Sequence, residues 1–308
     1  MRLTHIVEEQ FSPGLRLDRY VSEFLKLLSR SQIKARSLSA RVNGKDVKLS
    51  RLLKQGDILE LNWEAALPQN IIAQDIPLEI VYEDDRCVVV NKVQGMVVHP
   101  GAGNRQGTLA NALCFRKKSL LEDMVKKQDI SAGMRPGIVH RLDKETSGII
   151  IAAYDDETHA FLAEQFKTRK VKKNYIAIIH GTPKEKKGRV ETCLARDPKD
   201  RKRFTVSITG KSALTFYKIL KSWRNYSLVL LRPKTGRTHQ LRVHMKHLGH
   251  PILGDPLYGR DCRYFPDAAL MLHSKSLAIT LPGETAARVF SSPMPARFTA
   301  VVAKLNFS

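Results

Sequence analysis

Four cysteines are too few, and too far apart, to organise this 308-residue chain. Cys87, Cys114, Cys193 and Cys262 form no C-x-x-C pair, so neither a zinc knuckle nor a thioredoxin-type motif is encoded. Their spacing suits a reducing compartment. The stretch from Met1 to Gln10 has charges but no long apolar core, so no secretory leader is expected there. No apolar run approaches bilayer-spanning length, so no membrane partner is expected and the cytoplasm is the expected location. Internal repeats and low-complexity tracts are also missing. Acidic residues are scarce: 30 Asp and Glu face 52 Lys and Arg, a formal charge of +22. The excess is spread along the chain and is not a basic tail. A dispersed excess of this size favours a polyanion, most simply nucleic acid; the bland alternative is a basic surface without a partner.

What is present divides the chain into a small unit over residues 1–64, a linker over 65–77 and a large domain over 78–308. In the first unit Leu17, Val21, Phe24 and Leu28 recur at helical spacing behind Asp18. A second helix is expected from Ser29 or Ser31, with Ile33 inward and Arg30, Lys34 and Arg36 on its basic side. Arg41-Val42-Asn43-Gly44-Lys45 reads as a strand entering an Asn-Gly hairpin turn. Gly56-Asp57 marks a turn before the strand Ile58 to Leu61.

Beyond the linker, strand patterns recur near Leu78 to Tyr82, Cys87 to Val90, Gly148 to Ala153, Tyr175 to His180, Ala213 to Lys218 and Ser227 to Arg232. Helices are expected over Glu157 to Lys167 and Thr238 to Leu248. Many strands and few helices predict an α+β domain on a large, mainly antiparallel mixed sheet.

Three segments carry candidate chemistry. In the first, Gly137 to Gly148, Asp143 sits in a polar turn just before an apolar strand, where a rigid scaffold can hold a catalytic group. It could equally cap the turn or bond Thr146 and Ser147. The second, Pro233 to His244, sets Arg237 and Arg242 around a turn and a helix start, an arrangement that suits phosphate or carboxylate; a plain basic helix face is the alternative. In the third, Lys172-Lys173-Asn174-Tyr175, the lysines could meet phosphate and the tyrosine could stack on a base, although a strand tyrosine more often simply fills a core.

Together these segments resemble the RluA-type pseudouridine synthases. His140-Arg141-Leu142-Asp143 followed by Thr146-Ser147-Gly148 matches that family's catalytic motif. Asn91-Lys92 with Gly95 and His99-Pro100 matches its first motif, with Val93 where proline is common. Gly236 to Arg242 matches a third segment, and Gly254-Asp255 with Tyr258-Gly259 a further one. Leu15 to Asp18, Ser29 to Ser31, Val42 to Gly44 and Gly56-Asp57 resemble the small α/β-type S-four RNA-binding domain.

The resemblance implies an isomerase that converts uridine to pseudouridine in structured RNA and acts as a monomer. Bacterial large-subunit ribosomal RNA is the favoured substrate. Transfer RNA, or a non-catalytic RNA-binding or ribosome-assembly role, is the alternative. It implies Asp143 as the essential carboxylate, Tyr175 stacked on the uracil and Arg242 paired with Asp143. Arg141, His140, Arg237, His239, Gln240 and Lys173 would contact substrate, and Arg30, Lys34 and Arg36 would meet RNA. The reaction adds and removes nothing, so no cofactor or metal is expected. His239, His244, His247 and His250 cluster locally, but no carboxylate or thiol completes a metal set. Lys184 to Arg203 reads as an exposed basic hairpin that touches phosphate or is merely solvated.

Overall fold

The computed structural model describes residues 2–8, 14–25, 27–28, 33, 37–64, 71–101, 103–124, 137–260 and 264–307, with side chains to 117 in the segment that ends at 124. The chain divides into two compact units, Met1–Gln69 and Asn70–Ser308.

In the first unit β1 (Arg2–Ile6) precedes a short helix, α1 (Leu17–Arg19), which runs directly into a π-helical turn over Tyr20–Phe24. Strands β2 (Ser39–Val42), β3 (Lys45–Val47) and β4 (Ile58–Asn62) complete an antiparallel sheet in the order β1-β4-β2-β3. Asn43 and Gly44 have φ of 53° and 77°, the left-handed pair that matches the strand twist in a two-residue hairpin. The Asn43 amide donates to Asp57 Oδ1 at 2.9 Å and its oxygen accepts from Ile58 N at 2.8 Å, which ties that hairpin to the next strand. Leu17, Tyr20 and Val21 bury against Val42, Leu59 and Leu61.

Phe24, expected on the buried stripe, is 40% exposed. The Leu25 amide bonds the Tyr20 carbonyl at 2.9 Å, and this widened turn shifts the helical phase by a residue. Phe24 stacks on Tyr20 instead, with ring centroids 4.9 Å apart. Arg30, Lys34 and Arg36 lie outside the described residues; Ile33, between them, is helical and buried.

The second unit runs β5 (Glu79–Glu83), β6 (Cys87–Lys92), α2 (Leu109–Met124), β7 (Gly137–Ile138), β8 (Ser147–Ala153), α3 (Asp156–Lys167), β9 (Lys172–His180), β10 (Lys187–Arg196), β11 (Phe204–Val206), β12 (Lys211–Ser222), β13 (Tyr226–Pro233), α4 (Gln240–His247), β14 (Leu272–Ile279), β15 (Arg288–Ser291) and α5 (Ala296–Asn306). Its sheet has the order β11-β10-β12-β13-β9-β14-β8-β6-β5, with β15 on β14 and β7 on β8. Every pairing is antiparallel except β14 with β8.

The apolar runs of β6 and β8 bury both faces. Val88, Val90, Ile150 and Ala152 join one core cluster with α2 and α5, while Cys87, Val89, Ile149 and Ile151 join another with Leu162 of α3. A strand covered on both sides needs a continuous apolar run instead of an alternating one. Asp155 caps α3 by accepting from Thr158 N at 2.7 Å, the bond an N-cap carboxylate makes. Among the described residues no helix is long and apolar enough to cross a membrane.

Candidate active site

Asp143 lies in the connection that enters β8, the strand where the two sheet halves meet through the parallel β8–β14 pair. Gly148, one residue into that strand, has φ of 113°, and a Cβ there would run into the Ser274 carbonyl. Only glycine allows both that backbone and that approach. The Asp143 loop is anchored from the first motif. Lys92 is 1% exposed, and its Nζ donates to the carbonyls of Val93 at 2.9 Å, Met96 at 2.8 Å and Lys144 at 3.2 Å. The Gly95 amide also bonds the Lys144 carbonyl, at 2.9 Å, and Thr146 N closes the turn on the Asp143 carbonyl at 3.1 Å. The residue beside the candidate carboxylate is therefore held by a buried ammonium, which no loop of exposed polar residues would supply.

Arg242, in the first turns of α4, is buried. Its Nε and one terminal nitrogen grip the two Asp255 oxygens at 2.8 and 2.7 Å, and its other terminal nitrogen lies 3.5 Å from Asp143 Oδ2. Burial works against the guanidinium charge, but the Asp255 hydrogen bonds and the charges of both carboxylates outweigh it and raise its pKa above the usual arginine value. Asp255 Oδ1 also accepts from the amides of Leu257 and Tyr258. The primary partner of Arg242 is thus Asp255, with Asp143 second. The motif Gly254-Asp255 is visible in the sequence, but nothing in its spacing shows which arginine it would meet.

Tyr175 on β9 faces the same cleft and is 8% exposed. Burial, reinforced by the Asp143 charge and opposed by a hydrogen bond with Ser274, pushes its phenol up to about 12. It therefore remains a neutral ring at any working pH, which suits a stacking platform. Lys173, two residues earlier on the strand, is pushed down to about 8 by burial.

The cleft around these groups encloses about 540 Å³. Among its described lining residues Asp143 is the single carboxylate, facing seven cationic side chains that include Arg141, Lys173, Arg237 and Arg242. Arg141 is exposed at the rim and makes no ion pair among the described residues. Arg237 donates from Nε to the Ser212 carbonyl at 3.0 Å.

Two residues expected to contact substrate line the cleft but are also bonded within the protein. Gln240 is buried, and its amide is fully used inside the protein: the oxygen accepts from Thr235 Oγ1 and Arg237 N, and the nitrogen donates to the Leu214 carbonyl and Thr215 Oγ1. It holds the Pro233 to His239 loop against β12. His140 accepts from Ile151 N at 3.1 Å and stacks on Phe166 at 4.6 Å. Burial, with the Lys173 charge, drives its pKa down to about 3, so it is a neutral wall of the cleft.

His239 has φ of 54°, uncommon for a residue with a side chain. Its Nδ1 lies 2.8 Å from the Tyr258 hydroxyl, which also accepts from Phe204 N at 2.7 Å. The clustered histidines go to separate partners: both His244 nitrogens meet threonine hydroxyls, of Thr215 and Thr192, and His250 bonds the His180 carbonyl.

The profile of the RNA pseudouridylate synthase family matches residues 86–247. The ribosomal large subunit pseudouridine synthase D of Borreliella burgdorferi is 43% identical over 292 residues, covering 92% of this chain and 88% of the relative. The protein of the same name from Zymomonas mobilis is 42% identical over 254 residues, covering 80% of this chain and 78% of its own. Among solved structures, human RNA pseudouridylate synthase domain containing 4 aligns with a TM-score of 0.59 at 28% identity, covering 74% of this chain and 93% of that one.

Proposed function

This chain belongs to the RNA pseudouridylate synthase family, isomerases that convert uridine in RNA to pseudouridine, and from that premise we propose that its substrate is bacterial large-subunit ribosomal RNA and that Asp143, Arg242 and Tyr175 carry the chemistry. The observation that carries the assignment is the isolation of Asp143: one carboxylate in a cation-lined cleft, 3.5 Å from a buried guanidinium and beside a buried tyrosine. The cations draw the phosphate backbone to the rim, and the carboxylate is left free of it at the centre.

The reaction breaks the bond from ribose to the ring nitrogen, turns the uracil in place and rejoins it through ring carbon 5. The proton on that carbon ends on the ring nitrogen, so atoms and electrons balance without a co-reactant. The target base must leave its stack, at a cost of a few kcal/mol. Arg141, exposed at the cleft and without an ion pair among the described residues, would occupy the space so opened. The Tyr175 ring holds the detached uracil without reading sequence. Asp143 acts as nucleophile or base, and Arg242 keeps it oriented.

The ribosomal substrate is favoured by the names of the relatives from Borreliella burgdorferi and Zymomonas mobilis. The first unit is read as an S-four-like RNA-binding domain that guides substrate choice, with Arg30, Lys34 and Arg36 as its contacts.

Pseudouridine mapping of total RNA by chemical labelling and sequencing tests both parts, using cells that lack the protein and cells complemented with wild type or Asp143→Asn. Marks in large-subunit ribosomal RNA should vanish, return with wild type and stay absent with the variant, although the variant still binds RNA. Marks lost only from transfer RNA would transfer the substrate, and restoration by Asp143→Asn would remove that residue from the chemistry.

A further inference from the structure

Next to the cleft, strands β9, β10, β12 and β13 form a second groove that encloses about 910 Å³. On its open face Lys187 of β10 stands directly opposite Lys218 of β12. The neighbouring row sets Arg189, Phe216 and Arg232 side by side across three strands. Arg232 donates from Nε to Asn174 Oδ1 at 2.9 Å, on the strand to its other side. No carboxylate lines this groove among the described residues. The next acidic side chain along β10, Glu191, is opposite Leu214 and outside the lining.

Two features here work against folding. Like charges directly opposite each other on adjacent strands are destabilising, and Phe216 keeps 36% of its surface in water. Both make sense with an occupant. An anion between the two lysines cancels their repulsion. A flat ring flanked by guanidinium groups gives a nucleobase a stacking face and gives its phosphates two forks. The groove also shares Lys173, Pro233 and Lys234 with the cleft, so the two adjoin.

We propose that this groove is a second RNA subsite that takes the single-stranded segment flanking the target uridine, with phosphates between Lys187 and Lys218 and a base stacked on Phe216. The inference rests on the RNA-modifying reading of the cleft. An acidic polypeptide would use the cations but leave the ring idle, which is why RNA is the occupant favoured here.

The test uses full-length protein and two RNA probes, a uridine-containing stem-loop with and without a single-stranded extension of about eight nucleotides. Binding is measured across a salt series, and turnover on the short probe is measured in parallel. The extension should tighten wild-type binding and steepen its salt dependence. Lys187→Gln with Lys218→Gln should lower the log–log salt slope for the extended probe by about 1.4, two single-strand phosphate contacts. Binding and kcat on the short probe should not change, and the melting temperature should hold or rise because the repulsive pair is gone. Phe216→Ala should weaken the extended probe alone, by about tenfold.

Equal binding of the two probes by wild type, or an unchanged slope in the double variant, would overturn the proposal. So would polyglutamate binding that depends on the two lysines while the extension gains nothing, since an acidic protein would then be the occupant. A wild type that binds as expected but converts no uridine in any RNA would instead sink the reading of the cleft.

Discussion

At Arg242 one guanidinium meets two carboxylates, and the distances assign them different work. Asp255 accepts two hydrogen bonds at 2.8 and 2.7 Å with its side chain fully buried, whereas Asp143 is 3.5 Å away with 19% of its side chain exposed. Removing one member of a buried pair strands the other charge, at a cost of about 3–5 kcal/mol. Asp255→Ala should therefore lower the melting temperature by about 10 °C and abolish turnover. Asp143→Asn should abolish turnover with little change in melting temperature. Calorimetry on both variants decides it: equal losses of stability would mean that the two carboxylates share the structural task. The sequence made Asp143 legible because a carboxylate between His140-Arg141-Leu142 and Thr146-Ser147-Gly148 has a recognisable setting. It left Asp255 without a role because a buried ion pair 13 residues apart along the chain depends on where the loop after α4 returns.

The elements that were legible are those marked by a continuous apolar run or by a simple period of apolar residues. Strands β5, β6, β8, β12 and β13, the β2–β3 hairpin and helix α3 fall near their expected positions. Strand β14 was not legible: its run Leu272 to Ile279 mixes His273, Ser274, Lys275 and Ser276 into a buried strand. Those polar groups are satisfied across the sheet, His273 by Ser147 and Ser292, and Asn174 by Ser276, so the apolar signal is absent. Helices α2 and α5 were missed, and α5 carries β-branched Thr299, Val301 and Val302 at positions that weaken a helical reading. The Asp143 loop between β7 and β8 is supported from the end of β6. Lys92→Met would take the ammonium from three carbonyls, of which that of Met96 is bonded in a buried position and that of Lys144 keeps the Gly95 amide; a buried group left unsatisfied costs about 1–3 kcal/mol. The Asp143 loop would then shift, and kcat should fall by about ten- to a hundredfold with RNA affinity nearly intact. Wild-type kcat in that variant would show that the loop keeps its geometry without Lys92.

Across the whole molecule, charge and burial combine into a pH response. His140, His244 and His273 are held neutral, burial being the largest cause, with pKa values pushed down to about 3, about 4 and about 4. His140 accepts from Ile151 N, a bond of the neutral ring, while His244 lies between the hydroxyls of Thr215 and Thr192 and His273 between those of Ser147 and Ser292. In the unfolded chain these side chains take up protons near pH 6.5. Between that pH and about 4 these three side chains therefore bind up to three more protons in the unfolded state than in the folded one, His99, His180 and His239 being lowered in the same direction, and stability rises with pH. The stabilisation is complete above about pH 6.5 and is lost as the pH falls through the window, at about 1.4 kcal/mol per pH unit for each histidine. Carboxylates such as Glu83, lowered chiefly by its hydrogen bond from Arg116, act in the same direction but below their unfolded value near 4.5. Loss of stability between pH 6.5 and 5 therefore belongs to the histidines. Chemical denaturation at those two pH values should show that loss, and His273→Asn, measured against its own stability at neutral pH, should flatten the profile by about one proton. A profile that is level from pH 6.5 to 5, or as steep in the variant as in the wild type, would show that His273 is protonated in the folded protein and that its buried bonds rearrange to accept the charge.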